Sequence, residues 1–543
     1  MQASTVGAGT VGGSTGGAGA AGTETVRAGT VGAALKDAAA RDKAFLYDGD
    51  DTVTFAEFDA LTDRVASGLL ARGIGRGDRI GLLGLNTTQW LAAFFGAARI
   101  GAVIVPLNVR YREQELSYML GQSGARMVIS ASAIPGFDFA AFFEKFRPQA
   151  PGVTDYLFFG EGFDELAAAP ADQAALKAAR DAVTPDDPLM ILYTSGTTGR
   201  PKGAVITHGS ILASARAQAD HFVMTDTDVL LGHLPFNHVG GITCTIMAAL
   251  VSGGSVALLP AFSPDGALRA IERYRVTFLG AVPTMYVLML GRDDFADHDV
   301  SSVRLCMAGG SNVEPALAES IRRAFPGAPL YGLYGLSESS GACVLSPLDD
   351  DPETIARTLG AIIGDFEARV TGPDGAVLPA GETGELQIRG GCVTAGYWDM
   401  PEETAETFLP DGWLATGDMV EMEPDGHLVL RGRKKEMYIQ GGFNVYPVEV
   451  ENVLTAHPGV AMAAGIGVPD EVLGEVGRFY VVPRPGAEPP TADELTAYCR
   501  ERLADYKVPR QFVITAEVPL TPVGKIHKAQ LRDDYLSTLD GDQ

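Results

Sequence analysis

The chain has 543 residues, 46% of them hydrophobic and 20% charged, which is typical of a globular protein too long for one hydrophobic core. We therefore expect at least two domains. The formal net charge of −26 excludes a broad basic face for nucleic acid, although a nucleotide needs only a few well-placed donors. The five cysteines lie far apart without a C-x-x-C pair, which argues against a disulfide framework or zinc site and favours a reducing, cytoplasmic location.

The first 32 residues consist almost entirely of Gly, Ala, Ser, Thr and Val. They lack the basic start and unbroken apolar stretch of a signal peptide, so residues 1–32 are predicted to be a disordered Gly/Ala/Thr-rich tail. The longest uncharged stretch, residues 239–264, is interrupted by glycines and Pro260. It predicts a buried helix, a turn and a strand, and no membrane span.

The segment that starts at Thr54 has the spacing of a capping box with Glu57, and apolar residues follow at helical intervals up to Leu69. Gly73 is expected to end that helix. The next predicted elements are strand Arg79–Leu85, helix Thr87–Arg99, strand Ala102–Val105, helix Glu113–Leu120 and strand Ala125–Ser130. Strands that alternate with helices predict an α/β fold with a largely parallel sheet.

Short strands separated by glycine turns replace this alternation between residues 361 and 430. The predicted strands are Glu367–Thr371, Gly384–Arg389, Met419–Glu423 and His427–Arg431. They indicate a β-rich subdomain, after which a basic cluster at residues 431–435 precedes an α+β stretch. The sequence thus predicts an N-terminal domain over residues 33–432 and a C-terminal domain over residues 433–543.

The densest chemical signal is the segment Tyr193–Gly203, which directly follows an apolar strand. Its backbone N–H groups, hydroxyls and lysine suit a polyphosphate, and its glycines allow close approach to a ligand. It is not a P-loop, because no G-x-x-x-x-G-K-S/T spacing can be drawn through it. The candidate phosphate ligands are Thr194, Ser195, Gly196, Thr197, Thr198, Gly199 and Lys202.

Five further motifs follow in order, at residues 332–338, 413–418, 431–435, 441–451 and 519–526. With the glycine-rich segment they resemble the superfamily of acyl-CoA synthetases, peptide-synthetase adenylation domains and beetle luciferases, over roughly residues 50–531. The resemblance implies a large N-terminal domain of α/β layers with a β-rich subdomain, and a small mobile α+β C-terminal domain. It also implies that ATP activates a carboxylic acid as an acyl-adenylate, whose acyl group then passes to coenzyme A.

The resemblance further implies a role for each residue of the nucleotide site. Asp418 would accept hydrogen bonds from both ribose hydroxyls, and Arg433 would add a ribose or phosphate contact. Glu338 and Thr194 would hold Mg²⁺, a hard cation that favours oxygen ligands. The adenine segment would contribute Gly332, Tyr334, Gly335 and Ser337. A threonine is usual at the last of these positions, and serine keeps the hydroxyl.

Three implied catalytic residues lie outside the nucleotide segments. Lys525 would stabilise negative charge during nucleotidyl transfer. His238 would lie between the acyl pocket and the nucleotide, although a core histidine remains an alternative. Lys435 would be the hinge between two orientations of the C-terminal domain, one that inserts the catalytic lysine and one that presents Gly441 and Gly442 to the pantetheine of coenzyme A.

The acceptor and the acid stay open at this point. An acyl carrier protein, an amine or another oxyanion could replace coenzyme A, whereas a scaffold protein with a dead site is disfavoured because every motif retains its reactive group. Five residues hint at a pocket wide enough for an aromatic or branched acyl group, although the glycines could equally serve backbone geometry. They are Phe236, Gly240, Gly241, Gly309 and Gly310.

Overall fold

Two sheets, each with mostly parallel strands, organise the N-terminal part of the chain. The computed structural model describes residues 28–194, 200–310, 313, 315–520 and 526–540. One sheet has nine strands in the order β17-β16-β15-β14-β13-β11-β12-β1-β2 and the other six in the order β10-β9-β4-β3-β5-β8. The nine strands are β1 Ala44–Asp48, β2 Asp51–Thr54, β11 Val229–Gly232, β12 Ser255–Leu258, β13 Phe278–Ala281, β14 Leu305–Gly309, β15 Leu330–Leu336, β16 Gly341–Leu345 and β17 Ala361–Ile362. The six are β3 Arg79–Leu83, β4 Val103–Leu107, β5 Met127–Ser130, β8 Asp155–Phe158, β9 Pro188–Thr194 and β10 Lys202–Thr207, and a small hairpin adds β6 Ala133–Ile134 and β7 Phe137–Asp138.

Helices connect these strands and cover both sheets. Those of the N-terminal part are α1 Val31–Ala38, α2 Phe55–Ala71, α3 Thr88–Arg99, α4 Glu113–Ser123, α5 Phe139–Phe146, α6 Glu161–Ala167, α7 Gln173–Asp181, α8 His208–His221, α9 Val239–Gly241, α10 Ala248–Ser252, α11 Pro264–Tyr274, α12 Pro283–Leu290, α13 Pro315–Ala324, α14 Pro352–Arg357 and α15 Pro401–Thr407. A π-helix over Ile242–Met247 joins α9 to α10. The predicted helix, turn and strand within residues 239–264 are therefore confirmed, with a π-helical turn that the apolar pattern does not indicate.

The largest core lies between the two sheets. It combines inward side chains of both sheets with buried residues of α1, α2, α3, α8 and α10. A second core packs α11, α12 and α13 on the outer face of the nine-stranded sheet, and a third packs α4 and α5 on the six-stranded sheet. Helix and sheet layers therefore alternate, which confirms the predicted α/β class.

The local sequence signals account for the first elements. The Thr54 hydroxyl accepts from the Glu57 N–H while the Glu57 carboxylate accepts from the Thr54 N–H, so the predicted capping box starts α2. The strands and helices predicted between residues 79 and 130 are all present, and their ends differ from the prediction by at most three residues. Helix boundaries shift most easily because the terminal turns share few hydrogen bonds.

The β-rich subdomain is a four-stranded antiparallel sheet in the order β18-β19-β20-β21. Its strands are β18 Glu367–Thr371, β19 Thr383–Arg389, β20 Trp413–Met422 and β21 Leu428–Arg433. Strand β20 starts six residues before the predicted Met419, since its first half already pairs with β19. Apolar side chains from all four strands of this subdomain join the core between the two large sheets.

The C-terminal unit is a small sheet of antiparallel and parallel strands with helices on both faces. Its elements are β22 Tyr438–Gln440, β23 Phe443–Val445, α16 Pro447–Thr455, β24 Val460–Asp470, β25 Gly474–Pro483, α17 Ala492–Arg500, β26 Gln511–Ile514 and α18 Lys528–Asp540. One small core holds α16 and α17 against the sheet, and another holds α18. The unit therefore has the α+β architecture that was predicted for the C-terminal domain.

The beginning of the fold lies inside the segment predicted to be a tail. Helix α1 starts at Val31 with Thr30 as its N-cap, and both Val31 and Leu35 are fully buried. The Val31 N–H donates to Nδ1 of His208 (3.3 Å), and Arg216 donates to the carbonyl of Ala28. The predicted boundary at residue 32 is therefore wrong by a few residues, because α1 starts at Val31 and buries this side chain, which a boundary drawn from composition overlooks. Residues 1–27 lie outside the described part.

Deletion of residues 2–27 is expected to leave the melting temperature and activity unchanged, because the segment lacks the apolar content that offsets ordering entropy. Deletion of residues 2–36 also removes Val31 and Leu35 and should cost about 4 kcal/mol of unfolding free energy. Urea denaturation of the two truncated proteins checks both expectations. A large loss from the shorter deletion would show that the tail is docked.

Two histidines of the N-terminal part are buried as neutral rings. Burial lowers the pKa of both His208 and His233 to about 4. In the described residues, Nε2 of each ring is buried without a hydrogen-bond partner. The His233 Nδ1 lies 3.1 Å from the carbonyl of Leu231. Protonation of His233 on Nε2 would leave the new N–H without an acceptor, and protonation of His208 on Nδ1 would break the hydrogen bond from Val31.

Stability is therefore expected to fall as the pH drops from about 6.5 to about 4. The unfolded chain takes up protons below its histidine pKa while the native rings stay neutral, so the unfolded state is favoured by up to about 3 kcal/mol for each ring. Urea midpoints measured across this range check the slope. The variant His208→Gln, which keeps an acceptor for Val31, should show a flatter profile; an equal slope would assign the acid sensitivity to other groups.

All five cysteines are buried, as expected for small apolar side chains. Burial raises the pKa of each thiol, for example to about 12 for Cys343 and about 11 for Cys499.

Among the described residues, no helix combines the length and the apolar character needed to cross a membrane.

Candidate functional site

The β9–β10 hairpin holds the two ends of the predicted phosphate segment together. Thr194 and Lys202 are opposite each other in the antiparallel register, and the Thr194 hydroxyl lies 3.5 Å from the Lys202 carbonyl. Lys202 is only 8% exposed. Ser195, Gly196, Thr197, Thr198 and Gly199 lie outside the described residues, so their phosphate contacts stay predictions.

Tyr397 links this hairpin to the predicted metal ligand. Its hydroxyl donates to Oε1 of Glu338 (2.7 Å), and the ammonium of Lys202 lies 5.0 Å from the centre of its ring. Burial and the nearby carboxylate of Glu338 raise the pKa of Tyr397, so its hydroxyl keeps the proton that it donates. The Thr394 N–H donates to the Glu338 carbonyl (2.9 Å), which fixes the backbone of both segments. Sequence analysis missed Tyr397, since a tyrosine outside the motifs carries no distinguishing signal.

Asp418 is the centre of the predicted ribose site and is only 2% exposed. Its Oδ2 accepts from the hydroxyl of Tyr334 (2.7 Å), and its Oδ1 lies 2.9 Å from Nε of Arg433. Asp418 and Arg433 are paired across β20 and β21, and Gly417 precedes the aspartate with a φ of 72° that favours glycine. Three predicted nucleotide residues from three motifs thus meet at one carboxylate.

Arg433 interacts electrostatically with Glu338, the predicted metal ligand. Partial burial would lower the pKa of the half-exposed Arg433 side chain, but the charges of Asp418, Glu436 and Glu338 raise it. Burial and Asp418 raise the pKa of Tyr334 well above its usual value, so the phenol remains a donor. A carboxylate oxygen can accept more than one hydrogen bond, which is the property that the predicted ribose contact of Asp418 requires.

The glycines of the adenine segment serve the backbone. A Cβ on Gly335 would lie 2.0 Å from the carbonyl oxygen of Gly341, so only glycine allows β15 and β16 to approach here. The Gly332 N–H donates to the Ser346 hydroxyl (2.9 Å). The carbonyl of Ser337 accepts from the Ser340 N–H (3.0 Å) in the turn that follows. Nucleotide contacts of Gly332, Gly335 and Ser337 remain predictions.

His238 is half-buried at the start of α9. Its Nδ1 accepts from the N–H of Gly240 (3.0 Å), so a neutral ring carries its proton on Nε2. The loop before it is held by Asn86, whose amide donates to the carbonyls of Gly232 and Leu234. Asn86 also accepts from the Phe236 N–H (3.2 Å) and is a positioning residue that sequence analysis missed.

The predicted pocket glycines are closely packed. A Cβ on Gly241 would lie 2.3 Å from the Pro235 carbonyl oxygen, and one on Gly309 would lie 2.9 Å from that of Leu333. A Cβ on Gly240 would meet the ring of His238 at 3.2 Å, and Gly310 has a φ of 83°. Backbone geometry, the alternative left open above, therefore accounts for these glycines without reference to the acyl group.

The predicted hinge joins the last strand of the β-rich subdomain to the C-terminal unit. On its N-terminal side, the Lys434 ammonium is paired with Oε2 of Glu385 (2.8 Å). Lys435 is exposed. Gly441 and Gly442 form the turn between β22 and β23. Lys525 lies outside the described residues.

Known families and proteins match nearly the whole chain. A family model described as AMP-binding enzyme matches residues 35–398, and one described as AMP-binding enzyme C-terminal domain matches residues 449–525. Long-chain-fatty-acid–CoA ligase FadD13 of Mycobacterium tuberculosis is 36% identical over 90% of this chain and 94% of its own length. Feruloyl-CoA synthase of an Amycolatopsis species is 37% identical over 89% of this chain and 94% of its own. ATP-bound MatB from Rhodopseudomonas palustris has a TM-score of 0.81 at 29% identity, covering 93% of this chain and 99% of that one.

Proposed function

Because the chain belongs to the family of AMP-binding enzymes, we propose that it is an ATP-dependent carboxylate–CoA ligase that works through an acyl-adenylate. The observation that carries the proposal is the buried Asp418 carboxylate, held between the Tyr334 hydroxyl and Arg433. A buried carboxylate in β20, beside Tyr334 of β15, has two acceptor oxygens that suit a pair of ribose hydroxyls. ATP and coenzyme A are then substrates of one site.

In the first half-reaction the substrate carboxylate attacks the α-phosphorus of ATP. An O–P bond forms, the bond between the α-phosphorus and the bridging oxygen breaks, and pyrophosphate leaves. Lys202 and the hydroxyls of the adjoining segment bind the polyphosphate, and Lys525 stabilises the charge that develops on the transferred group. In the second half-reaction the thiolate of coenzyme A attacks the acyl carbonyl, and AMP leaves.

Mg²⁺ fits the carboxylate of Glu338. One of its oxygens is held by the Tyr397 hydroxyl at 2.7 Å, which orients the other. Carboxylate and hydroxyl oxygens are ligands that Mg²⁺ accepts, so Glu338 and Thr194 are its proposed ligands. The ion would neutralise phosphate charge when bound.

Tyr397→Phe is expected to raise the Mg²⁺ concentration for half-maximal pyrophosphate exchange by about tenfold, because partners of a metal ligand typically contribute that much affinity. A Mg²⁺ titration of the exchange reaction checks this. The control Tyr331→Phe removes a hydroxyl on β15 that donates to the Leu348 carbonyl, and it should leave the titration unchanged. Equal shifts in both variants would assign the effect to general loosening.

The proposal places the pivot at Lys435, between an N-terminal domain of residues 33–432 extended by the start of α1 and a C-terminal domain of residues 433–543. His238 lies on the acyl side of the nucleotide, and Gly441 and Gly442 face the pantetheine in the second orientation. The support is the change from one sheet to another at residues 433–438.

The acid itself does not follow from the relatives, whose names specify a long-chain fatty acid in one case and ferulate in another. Pyrophosphate release should be measured over a panel of aliphatic, branched and aromatic acids, with coenzyme A, with an acyl carrier protein and with neither. Release that forms an acyl-CoA supports the proposal. A product only with carrier protein would favour the stand-alone adenylation alternative, and no exchange with any acid would contradict both.

A further inference from the structure

A partly buried ion-pair cluster joins the start of α18 to the segment that follows the hinge. The ammonium of Lys528 lies 2.6 Å from Oε2 of Glu436 and 2.8 Å from Oε1 of Glu451. The Lys528 side chain is 18% exposed and that of Glu451 13%. Glu451 also accepts from the Gly465 N–H of β24 (2.6 Å). One ammonium therefore joins the hinge segment, α16, β24 and α18.

The cluster depends on its single positive charge. Burial raises the pKa of Glu451, and it would also lower that of Lys528, but the two carboxylates outweigh burial and raise the pKa of the lysine. Loss of the ammonium would leave two partly buried carboxylates facing each other. Because an unpaired buried charge is strongly unfavourable, the side chains would have to move apart.

The position of the cluster connects it to the proposed chemistry. Glu436 directly follows Lys435, while Lys434 on the other side is paired with Glu385 of the β-rich subdomain. The pivot is thus bracketed by two ion pairs, one to each body. In sequence, Lys528 lies three residues after Lys525.

The backbone next to Lys528 is also fixed. Leu520 and Ile526 form an antiparallel bridge, and the His527 N–H donates to the Pro519 carbonyl (2.8 Å). Lys528 therefore connects this fixed backbone, which flanks residues 521–525 in sequence, to Glu436 beside the proposed pivot.

We propose that Lys528 is a positioning residue for the adenylation half-reaction. Its ion pair fixes the backbone at Ile526 and His527, close in sequence to Lys525, relative to Glu436 beside the hinge. The inference rests on the proposed function. It assigns Lys528 no contact with ATP or the acid, so its effect is on the turnover of the first half-reaction and not on the binding of ATP.

The test compares Lys528→Met with Lys507→Met. The ammonium of Lys507 lies 2.6 Å from Oε2 of Glu449, which is on α16 like Glu451. The Lys507 side chain is similarly buried, with 23% exposed, but this ion pair does not involve the hinge segment. Three quantities are measured: pyrophosphate exchange, thioester formation from pre-formed acyl-AMP, and melting temperature.

Lys528→Met should lower the maximal rate of exchange by about 100-fold, the effect of a small misplacement of a catalytic group. The KM for ATP and the thioester step should change by less than about twofold. Lys528→Arg should restore most of the exchange. Lys507→Met should lower the melting temperature comparably and leave both half-reactions intact.

Equal losses in both half-reactions, or the same split in Lys507→Met, would overturn the proposal. If Lys528→Met is unfolded at the assay temperature, Glu436→Gln decides, because it weakens only the hinge side of the cluster and should still lower exchange selectively. A wild-type protein without exchange for any acid would contradict the proposed function itself and is a separate outcome.

Discussion

Lys525→Ala is expected to lower the rate of ATP–pyrophosphate exchange by about 100- to 1000-fold, the usual effect of removing one group that stabilises transition-state charge. Attack of a carboxylate on the α-phosphorus gathers negative charge on the transferred group and on the leaving pyrophosphate. A lysine held at that point would supply the positive charge that stabilises both groups. The second half-reaction develops no such phosphate charge, so thioester formation from supplied acyl-AMP should remain largely intact.

The two half-reactions must be measured separately on the same preparation. Lys177→Ala, which removes a lysine paired with Asp181 on the exposed surface of α7, is the control and should leave both rates unchanged. Equal losses in both half-reactions of the Lys525 variant would contradict a role confined to adenylation.

Lys435→Pro is expected to hold the C-terminal domain in one orientation. Proline fixes φ near roughly −65° and removes an N–H donor, so the backbone change required of a hinge becomes inaccessible. If the adenylating orientation is the one retained, exchange survives while thioester formation falls to the background rate. The ion pair of Lys434 with Glu385 links the residue before the pivot to the β-rich subdomain.

Lys435→Ala separates the backbone from the charge. It leaves φ free and should disturb either half-reaction much less than proline does. An alanine variant as impaired as the proline variant, or equal effects of proline on both steps, would mean that Lys435 acts through its ammonium and not as a pivot.

Local signals predicted the fold where neighbouring residues determine it. The capping box at Thr54 and the alternation of strands and helices up to Ser130 need no information from distant residues. The first half of β20 was missed because Leu414 to Asp418 contains no alternating apolar pattern, and its strand conformation comes from pairing with β19. The start of α1 was missed because its burial depends on contacts with residues near His208.

The candidate site shows the same division. Asp418, Arg433 and Tyr334 belong to motifs and could be named from the sequence, and the structure brings them to one carboxylate. Tyr397 and Asn86 could not, because their partners lie 59 and about 150 residues away. A side chain that positions another across such a separation leaves no local pattern.

The burial of all five cysteines has a practical consequence for kinetics. Thiol reagents attack thiolates, and these side chains remain protonated and enclosed at neutral pH. A disulfide reagent that colours on reaction, added to samples of the native enzyme, therefore reports the free thiol of unreacted coenzyme A without a protein background. Acyl transfer can then be followed as a decrease in colour from one sample to the next, for any acid in the panel and without a labelled substrate.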